Sequence, residues 1–158
     1  MVRLATATNP FFSTTDLELK RPGTSYSIDT IRHFQKKYQK SLFFIMGRDA
    51  FVDIETWKDF QHLFFYCNFI VMTRPRSQKM PSSPQLPEAL VSAFQYDQQS
   101  KNWIHTSKHA LYFKEISYLD ISSTKVRKLI QKGRSARYLI PPGVETYIQR
   151  YGLYQKGG

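Results

Sequence analysis

The sequence has little cysteine, few acidic residues and no long apolar segment. Its single cysteine, Cys67, excludes an intramolecular disulfide and a zinc site built on thiolates, and is typical of a reducing compartment. The four histidines show no spacing typical of metal ligands, so no metal site is predicted. The longest apolar run, residues 63–72, is interrupted by Asn68 and is too short to cross a bilayer. The beginning of the chain lacks the apolar core of a secretory signal, so we expect a soluble cytoplasmic protein without a membrane partner.

The charge is strongly one-sided. Lysine and arginine number 23 against 12 acidic residues, which gives a formal net charge of +11. Such a balance attracts polyanions, namely nucleotides, nucleic acid or an anionic membrane surface. The excess is spread along the chain, with a cluster over residues 125–137, so it does not mark a basic tail. At 158 residues the chain is predicted to form a single domain, residues 1–158.

Helix-like and strand-like segments alternate along the chain, and no internal repeat interrupts them. This alternation predicts an α/β fold with a parallel sheet and flanking helices, in which ligands bind at the carboxyl ends of the strands. The predicted elements are a helix ending near residue 8, an extended segment over 11–19, helices over 27–38, 89–96, 124–132 and 142–150, strands over 42–46, 69–73 and 111–116, and a long loop over 74–88.

The most informative motif is Asp-Ile-Ser-Ser-Thr-Lys-Val-Arg at residues 120–127. It joins an apolar strand-like run to a helix-like run, so hydroxyls and the unpaired N–H groups of a helix start lie together. Arg127 follows Ser123 by four residues, and both can face one anionic ligand. The alternative is an ordinary serine N-cap with a solvated arginine.

Three polar features follow predicted strands: Gly47-Arg48-Asp49, Thr73-Arg74-Pro75 and the motif at 120–127. Because the carboxyl ends of parallel strands lie at one edge of a sheet, these features are expected to line one crevice. Their coincidence favours the anion site over the simple cap, and a nucleotide is the natural polyanion for such a crevice.

Five segments in order carry a family resemblance. They are Ser-Tyr-Ser-Ile-Asp-Thr at 25–30, Phe-Ile-Met-Gly-Arg-Asp at 44–49 followed by Thr-Trp at 56–57, Val-Met-Thr-Arg-Pro at 71–75, Ile-Ser-Ser-Thr-x-x-Arg at 121–127, and the ending from Tyr138 to Tyr154. Along almost its whole length the chain resembles bacterial nicotinate mononucleotide adenylyltransferases. The resemblance implies a Rossmann-like sheet.

The implied reaction transfers AMP from ATP to nicotinate mononucleotide and releases pyrophosphate, with magnesium accompanying ATP. ATP and nicotinate mononucleotide are therefore the implied partners. By the same resemblance, Ser123 and Arg127 would hold ATP phosphates, and Ser122 and Thr124 would support that turn. No pattern in the sequence indicates an oligomeric state.

The remaining site residues are also implied by the resemblance. Gly47, Asp49 and Arg74 would contact the nucleotides, Trp57 would stack on the nicotinate ring, and Ser27 would help to hold its carboxylate. Each has a structural alternative: a core or rim tryptophan for Trp57, a helix N-cap for Ser27, and a capping or solvated carboxylate for Asp49.

One segment of the family is not found in these 158 residues. The family begins with a strand and Gly-Gly-x-Phe-Asp-Pro-x-His-x-Gly-His, which binds ATP and supplies histidines for the transition state. Roughly 50 residues, more than one βαβ unit of about 30 residues, are expected to be missing at the N-terminus. We therefore expect an N-terminally truncated sheet with an exposed apolar gap, assign no catalytic residue, and expect this chain alone to be inactive.

Two other function classes fit parts of the sequence. One is a nucleotide-binding remnant that keeps the second phosphate site without catalysis. The other is a basic nucleic-acid-binding module, suggested by the charge and by 15% aromatic residues. Nucleic acid is the less favoured partner, because most of the aromatic residues fall in apolar stripes typical of a core.

Overall fold

A computed structural model describes residues 1–39, 41–73, 86–117 and 119–155. The chain divides into two compact units. Leu17–Tyr118 form one, called here the sheet unit, and Met1–Asp16 with Leu119–Gly158 form the other, called the terminal unit. Within the part of the chain that the structure describes, no helix has the length and apolar character needed to cross a membrane.

The sheet unit contains five strands in the order β1-β2-β5-β4-β3. Their bounds are Phe43–Gly47 for β1, Asn68–Thr73 for β2, Phe94–Asp97 for β3, Asn102–His105 for β4 and Ala110–Glu115 for β5. The strands β1, β2 and β5 are parallel, with Gly47 opposite Met72 and Thr73 opposite Glu115. The α/β prediction is confirmed, and the carboxyl ends of these three strands share one edge.

The prediction of a helix over 89–96 is wrong for its second half. The helix α6 spans only Glu88–Val91, and Phe94 to Asp97 form β3, antiparallel to β4. The Asp97 carboxylate accepts hydrogen bonds from the Ser100 hydroxyl at 2.6 Å and from the Gln99 N–H at 3.1 Å. These bonds lower the pKa of Asp97 and hold the turn of a hairpin, so the chain reverses instead of continuing as a helix.

The other helices of the sheet unit are short except for one. They are α2 (Leu17–Lys20), α3 (Ser27–Tyr38), α4 (Arg48–Val52), a 3-10 turn (Ile54–Thr56) and α5 (Phe60–Leu63). The extended prediction for residues 11–19 fails at α2. The Glu18 carboxylate there accepts a hydrogen bond from the Thr30 hydroxyl on α3 at 2.7 Å, a contact between segments that local patterns do not encode.

The core lies where the helices cover the sheet. Its fully buried large side chains are Phe51, Phe64, Phe69, Ile28, Ile31, Ile54, Leu63, Leu90, Leu111, Val71 and Cys67. Burial raises the pKa of the Cys67 thiol to about 12, so this group is an apolar core residue. The edge strand β1 differs: its Phe43 and Ile45 side chains are 46% and 58% exposed. An apolar sheet edge is therefore open to solvent.

The terminal unit is helical. It contains α1 (Val2–Thr6), α7 (Ser123–Gln131) and α8 (Pro142–Arg150). Its buried apolar residues are Val126, Ala136, Val144 and Ile148. The amphipathic stripe predicted for α8 is confirmed, because Val144 and Ile148 are its buried residues. Gly133, with φ +67, follows α7 in the left-handed conformation that glycine accommodates.

Candidate functional site

Ser27 and Trp57, both expected near a nicotinate ring, line the same cavity of the sheet unit. We name it the Trp57 cavity. Its volume is about 220 Å³ and its lining residues are Ser25, Tyr26, Ser27, Thr56, Trp57 and Lys58. Two aromatic rings, four hydroxyl groups and one ammonium group surround a space of this size. Such a lining can stack a planar ring and bind a polar substituent on it.

Trp57 is positioned by the sheet and by the turn before it. Its backbone N–H donates to the Ile54 carbonyl at 2.9 Å, which closes the 3-10 turn. Its ring meets that of Phe44 edge to face, with centroids 6.1 Å apart, and the side chain packs against the core. The indole is half-buried, so one part anchors the ring while another borders the cavity.

Ser27 is the first residue of α3, and Tyr26 occupies the N-cap position without a side-chain cap hydrogen bond. The structural alternative of Ser27 as the N-cap is therefore not observed. The Tyr26 carbonyl accepts from the Asp29 N–H at 3.1 Å, as the first bond of the helix. Ser27 precedes these bonds and lines the cavity. A backbone N–H at the start of a helix has no partner within the helix and can donate to an anion.

Gly47 and Asp49 lie at the carboxyl end of β1. Gly47 is the N-cap of α4 with φ −76, and a Cβ built on it meets no atom within 4 Å. Asp49 is exposed in the first turn of α4. The third residue expected here, Arg74, lies outside the described residues. The open space at Gly47 allows close approach of a ligand to the backbone.

The hydroxyl-rich motif forms the start of α7 in the terminal unit. Ser122 is the N-cap, and its hydroxyl accepts from the Lys125 N–H at 3.2 Å. The helix begins with the bond from the Val126 N–H to the Ser122 carbonyl at 3.0 Å. Within the described residues, no hydrogen bond uses the N–H of Ser123 or Thr124. Ser122 thus acts as an ordinary cap, whereas the next two residues offer free donors at a helix N-terminus.

The two cations of this turn have different partners. The Lys125 ammonium forms an ion pair with the Asp120 carboxylate. The Arg127 guanidinium donates to the Thr124 hydroxyl at 3.4 Å, within the first turn of the helix. Arg127 is half-buried, while Ser122, Ser123 and Thr124 are exposed. Arg127 is therefore the cation directed toward the free donors of this turn.

Two histidines meet one serine in the turn between β4 and β5. The Ser107 hydroxyl lies 2.8 Å from Nδ1 of His105 and 3.1 Å from Nδ1 of His109. The Ser107 N–H donates to Nδ1 of His105 at 3.1 Å, so that nitrogen accepts in this turn. Burial of His105, with a smaller effect of the His109 charge, lowers the pKa of His105. These hydrogen bonds stabilise the turn, and none of the three residues lines the Trp57 cavity.

The sequence predicted Ser27 and Trp57 as site residues but not the other four residues that line the Trp57 cavity, Ser25, Tyr26, Thr56 and Lys58. Tyr26 and Lys58 line it, and the Lys58 Nζ lies 4.3 Å from the centroid of the Tyr26 ring. A cation directly after Trp57 was the available signal. A lysine is ordinarily solvated, so its position after Trp57 does not by itself indicate a binding residue. Its contact with Tyr26 depends on the folded structure.

The cytidylyltransferase-like family model matches residues 1–129 of the chain. A Geotalea daltonii protein named "probable nicotinate-nucleotide adenylyltransferase" is 44% identical over 158 residues, covering 99% of this chain and 73% of that protein. A protein of the same name from Citrifermentans bemidjiense is 46% identical over 155 residues, with coverage of 98% and 72%.

Solved structures of low identity share the fold. A nicotinic acid mononucleotide adenylyltransferase of Plasmodium falciparum, complexed with APC, superposes with a TM-score of 0.53 at 20% identity, covering 84% of this chain and 60% of that one. The same protein complexed with NaAD gives a TM-score of 0.52, with coverage of 83% and 58%. This likeness confirms the predicted Rossmann-like fold.

Proposed function

Because the chain belongs to the nicotinate-nucleotide adenylyltransferases of the cytidylyltransferase-like family, we propose that it serves adenylyl transfer from ATP to nicotinate mononucleotide, giving nicotinate adenine dinucleotide and pyrophosphate. We expect these 158 residues by themselves to bind the substrates without turnover. The observation that carries this proposal is the Trp57 cavity. An anchored indole, the start of α3 and an ammonium group surround a space suited to a small aromatic ring with a polar substituent.

The proposed chemistry needs no covalent intermediate on the protein. An oxygen of the mononucleotide phosphate attacks the α-phosphorus of ATP, and the bond from that phosphorus to the β-phosphate oxygen breaks. Pyrophosphate leaves with the bond electrons. The work of the protein is then to align the two phosphates and to stabilise the charge that develops, and hydrogen-bond donors are well suited to both tasks.

Nucleotidyltransferases generally use a divalent metal with their nucleotide substrates, and the finer proposal here is magnesium carried by ATP. Among the residues that the structure describes, no group of three or more His, Cys, Asp or Glu side chains could hold a metal ion. Magnesium bound to the triphosphate would shield the phosphate charge.

The proposed phosphate contacts are at the start of α7. The free N–H groups of Ser123 and Thr124 and the guanidinium of Arg127 would bind ATP phosphates, while Ser122 keeps the turn capped. At the end of β1, the open backbone of Gly47 and the exposed Asp49 carboxylate would contact the nucleotides. We assign Arg74 the same role from the family resemblance.

We further propose that residues 1–158 act as one nucleotidyltransferase-like domain in the cytoplasm, a location that the single unpaired Cys67 supports. The alternative of a nucleic-acid-binding module has less support, because Phe51, Phe64 and Phe69 are fully buried and unavailable for stacking on bases. A nucleotide-binding remnant would bind the same ligands without turnover.

Fluorescence of Trp57 provides the test. Trp103 is the other tryptophan, and its buried Nε1 has no hydrogen-bond partner within the described residues, so Trp103→Phe breaks no such bond. In that variant, we expect nicotinate mononucleotide to quench Trp57 emission saturably, and ribose 5-phosphate, which has no ring, to leave it unchanged. The proposal fails if nicotinate mononucleotide produces no saturable change or if ribose 5-phosphate quenches equally.

A further inference from the structure

We propose that Lys58 is a specificity-determining residue of the Trp57 cavity: its ammonium group selects a ring that carries a carboxylate over the same ring with a carboxamide. The inference rests on the proposed function, because it assumes that the ring of the mononucleotide enters this cavity. It adds to that function the choice between the nicotinate and nicotinamide mononucleotides.

The first support is the charge of the lining. Of the six residues around the Trp57 cavity, Lys58 alone carries a formal charge. The others offer hydroxyl groups and aromatic surface. A carboxylate entering this space therefore meets one cation and no anion among its lining residues, whereas a neutral amide gains less from that charge because it carries only a dipole.

The second support is the way in which the ammonium group is held. Its Nζ lies 4.3 Å from the centroid of the Tyr26 ring, the distance of a cation–π contact. Within the described residues, no carboxylate forms an ion pair with Lys58. The contact restrains the side chain beside the cavity and leaves its charge uncompensated, in contrast to Lys125, which is paired with Asp120.

The third support is the neighbouring geometry. Lys58 directly follows Trp57, whose ring is fixed against Phe44. Tyr26, the partner of the ammonium group, immediately precedes the first turn of α3. A ring stacked on the indole would thus present its substituent to the ammonium group and to the N–H groups of the helix start. Both attract a negative charge.

The expected effect is moderate because Lys58 is exposed and solvent screens its charge. We expect Lys58→Met to weaken binding of nicotinate mononucleotide by about five- to tenfold, which lies between the usual effect of an exposed ion pair and that of a hydrogen bond to a charged group. Binding of nicotinamide mononucleotide should change less than twofold. Lys58→Arg should keep most of the preference.

The experiment measures equilibrium binding of both mononucleotides to the whole chain by titration calorimetry. The matched control is Lys37→Met: Lys37 also lies over a tyrosine, Tyr38, at 5.1 Å, but it does not line the Trp57 cavity. This control should leave both affinities unchanged. Raising the salt concentration should reduce the wild-type preference and should have little effect on Lys58→Met.

Three results would overturn the inference: equal losses for both mononucleotides in Lys58→Met, an unchanged preference in that variant, or the same change in Lys37→Met. Failure of the underlying function has a different signature, because the wild-type chain would then bind neither mononucleotide. A wild-type chain that binds both without preference would leave the function standing and remove the role of Lys58.

Discussion

The guanidinium of Arg127 donates a hydrogen bond to the hydroxyl of Thr124 at 3.4 Å, inside the first turn of α7. This contact orients the arginine toward the helix N-terminus, where the N–H groups of Ser123 and Thr124 have no hydrogen-bond partner within the described residues. Lys125, which lies between Thr124 and Arg127 in sequence, instead forms an ion pair with Asp120. Neighbouring cations on one helix therefore have different tasks, and the difference can be measured.

We predict that Arg127→Ala weakens binding of ATP with magnesium by about 1–3 kcal/mol, the usual range for a charge-assisted hydrogen bond. Lys125→Ala should weaken ATP binding by less than about 0.5 kcal/mol, since the exposed Lys125 ammonium group is paired with Asp120. Titration calorimetry of both variants decides the matter. Equal losses would mean that ATP senses only the diffuse positive charge of this region.

The second prediction concerns Gly47, where the folded chain leaves room for a side chain. Its φ of −76 is ordinary, and a methyl group would meet no atom within 4 Å. Gly47→Ala should leave the free energy of unfolding unchanged or raise it by up to about 1 kcal/mol. Nucleotide binding should weaken by roughly 1 kcal/mol or more if the backbone contacts the ligand.

The control for Gly47 is Gly133→Ala. Gly133 has φ +67, so alanine there should lower stability by about 1 kcal/mol through backbone strain. Chemical denaturation and ligand titration of the two variants separate the effects. An unchanged nucleotide affinity in Gly47→Ala would remove Gly47 from the proposed site.

The pKa of His105 predicts how stability depends on pH. Burial lowers this pKa in the folded chain, whereas in the unfolded chain it lies near 6.5. Between the two values the unfolded state binds more protons, so the free energy of unfolding falls as the pH decreases through 6.5 and levels off below the folded pKa. Urea denaturation across this range measures the slope.

His105→Asn tests the source of that slope, because its side-chain oxygen can still accept the Ser107 N–H without titrating. The variant should lose part of the pH dependence between pH 7.5 and 5.5, while the exposed His62→Asn should keep it. A slope that persists in His105→Asn would assign the effect to another group.

The last prediction concerns catalytic turnover of ATP and nicotinate mononucleotide. A polypeptide of these 158 residues should release no pyrophosphate from ATP, magnesium and nicotinate mononucleotide, because no His-x-Gly-His segment is present in them. Contacts at Ser123 and Arg127 can bind ATP, but equal binding of ground and transition states gives no rate enhancement. An enzyme-coupled pyrophosphate assay checks this. Clear turnover would show that other groups of this chain stabilise the transition state.

The local pattern of apolar residues was sufficient to predict the helices and strands that bury at least one face. The helices over 27–38 and 142–150 have the predicted bounds, because apolar residues recur there with the period of a helix. The continuous apolar runs ending at Gly47 and Thr73 are strands, and each buries side chains on one face of the sheet: Met46 in β1, Phe69 and Val71 in β2. The hydroxyl motif likewise lies at a helix start, one residue earlier than predicted.

Long-range contact decided the remainder. The segment from Phe94 to Asp97 is a strand because it pairs with β4 across a short hairpin and because Phe94 packs on Phe64, which lies far from it in sequence. The Trp57 cavity arises in the same way. Sequence identified Trp57 and Ser27 one at a time, through resemblance, but only packing of Trp57 on Phe44 of the sheet brings its turn to the start of α3 and sets Lys58 over Tyr26. Periodicity records which residues are buried; which surfaces meet depends on contacts between distant segments.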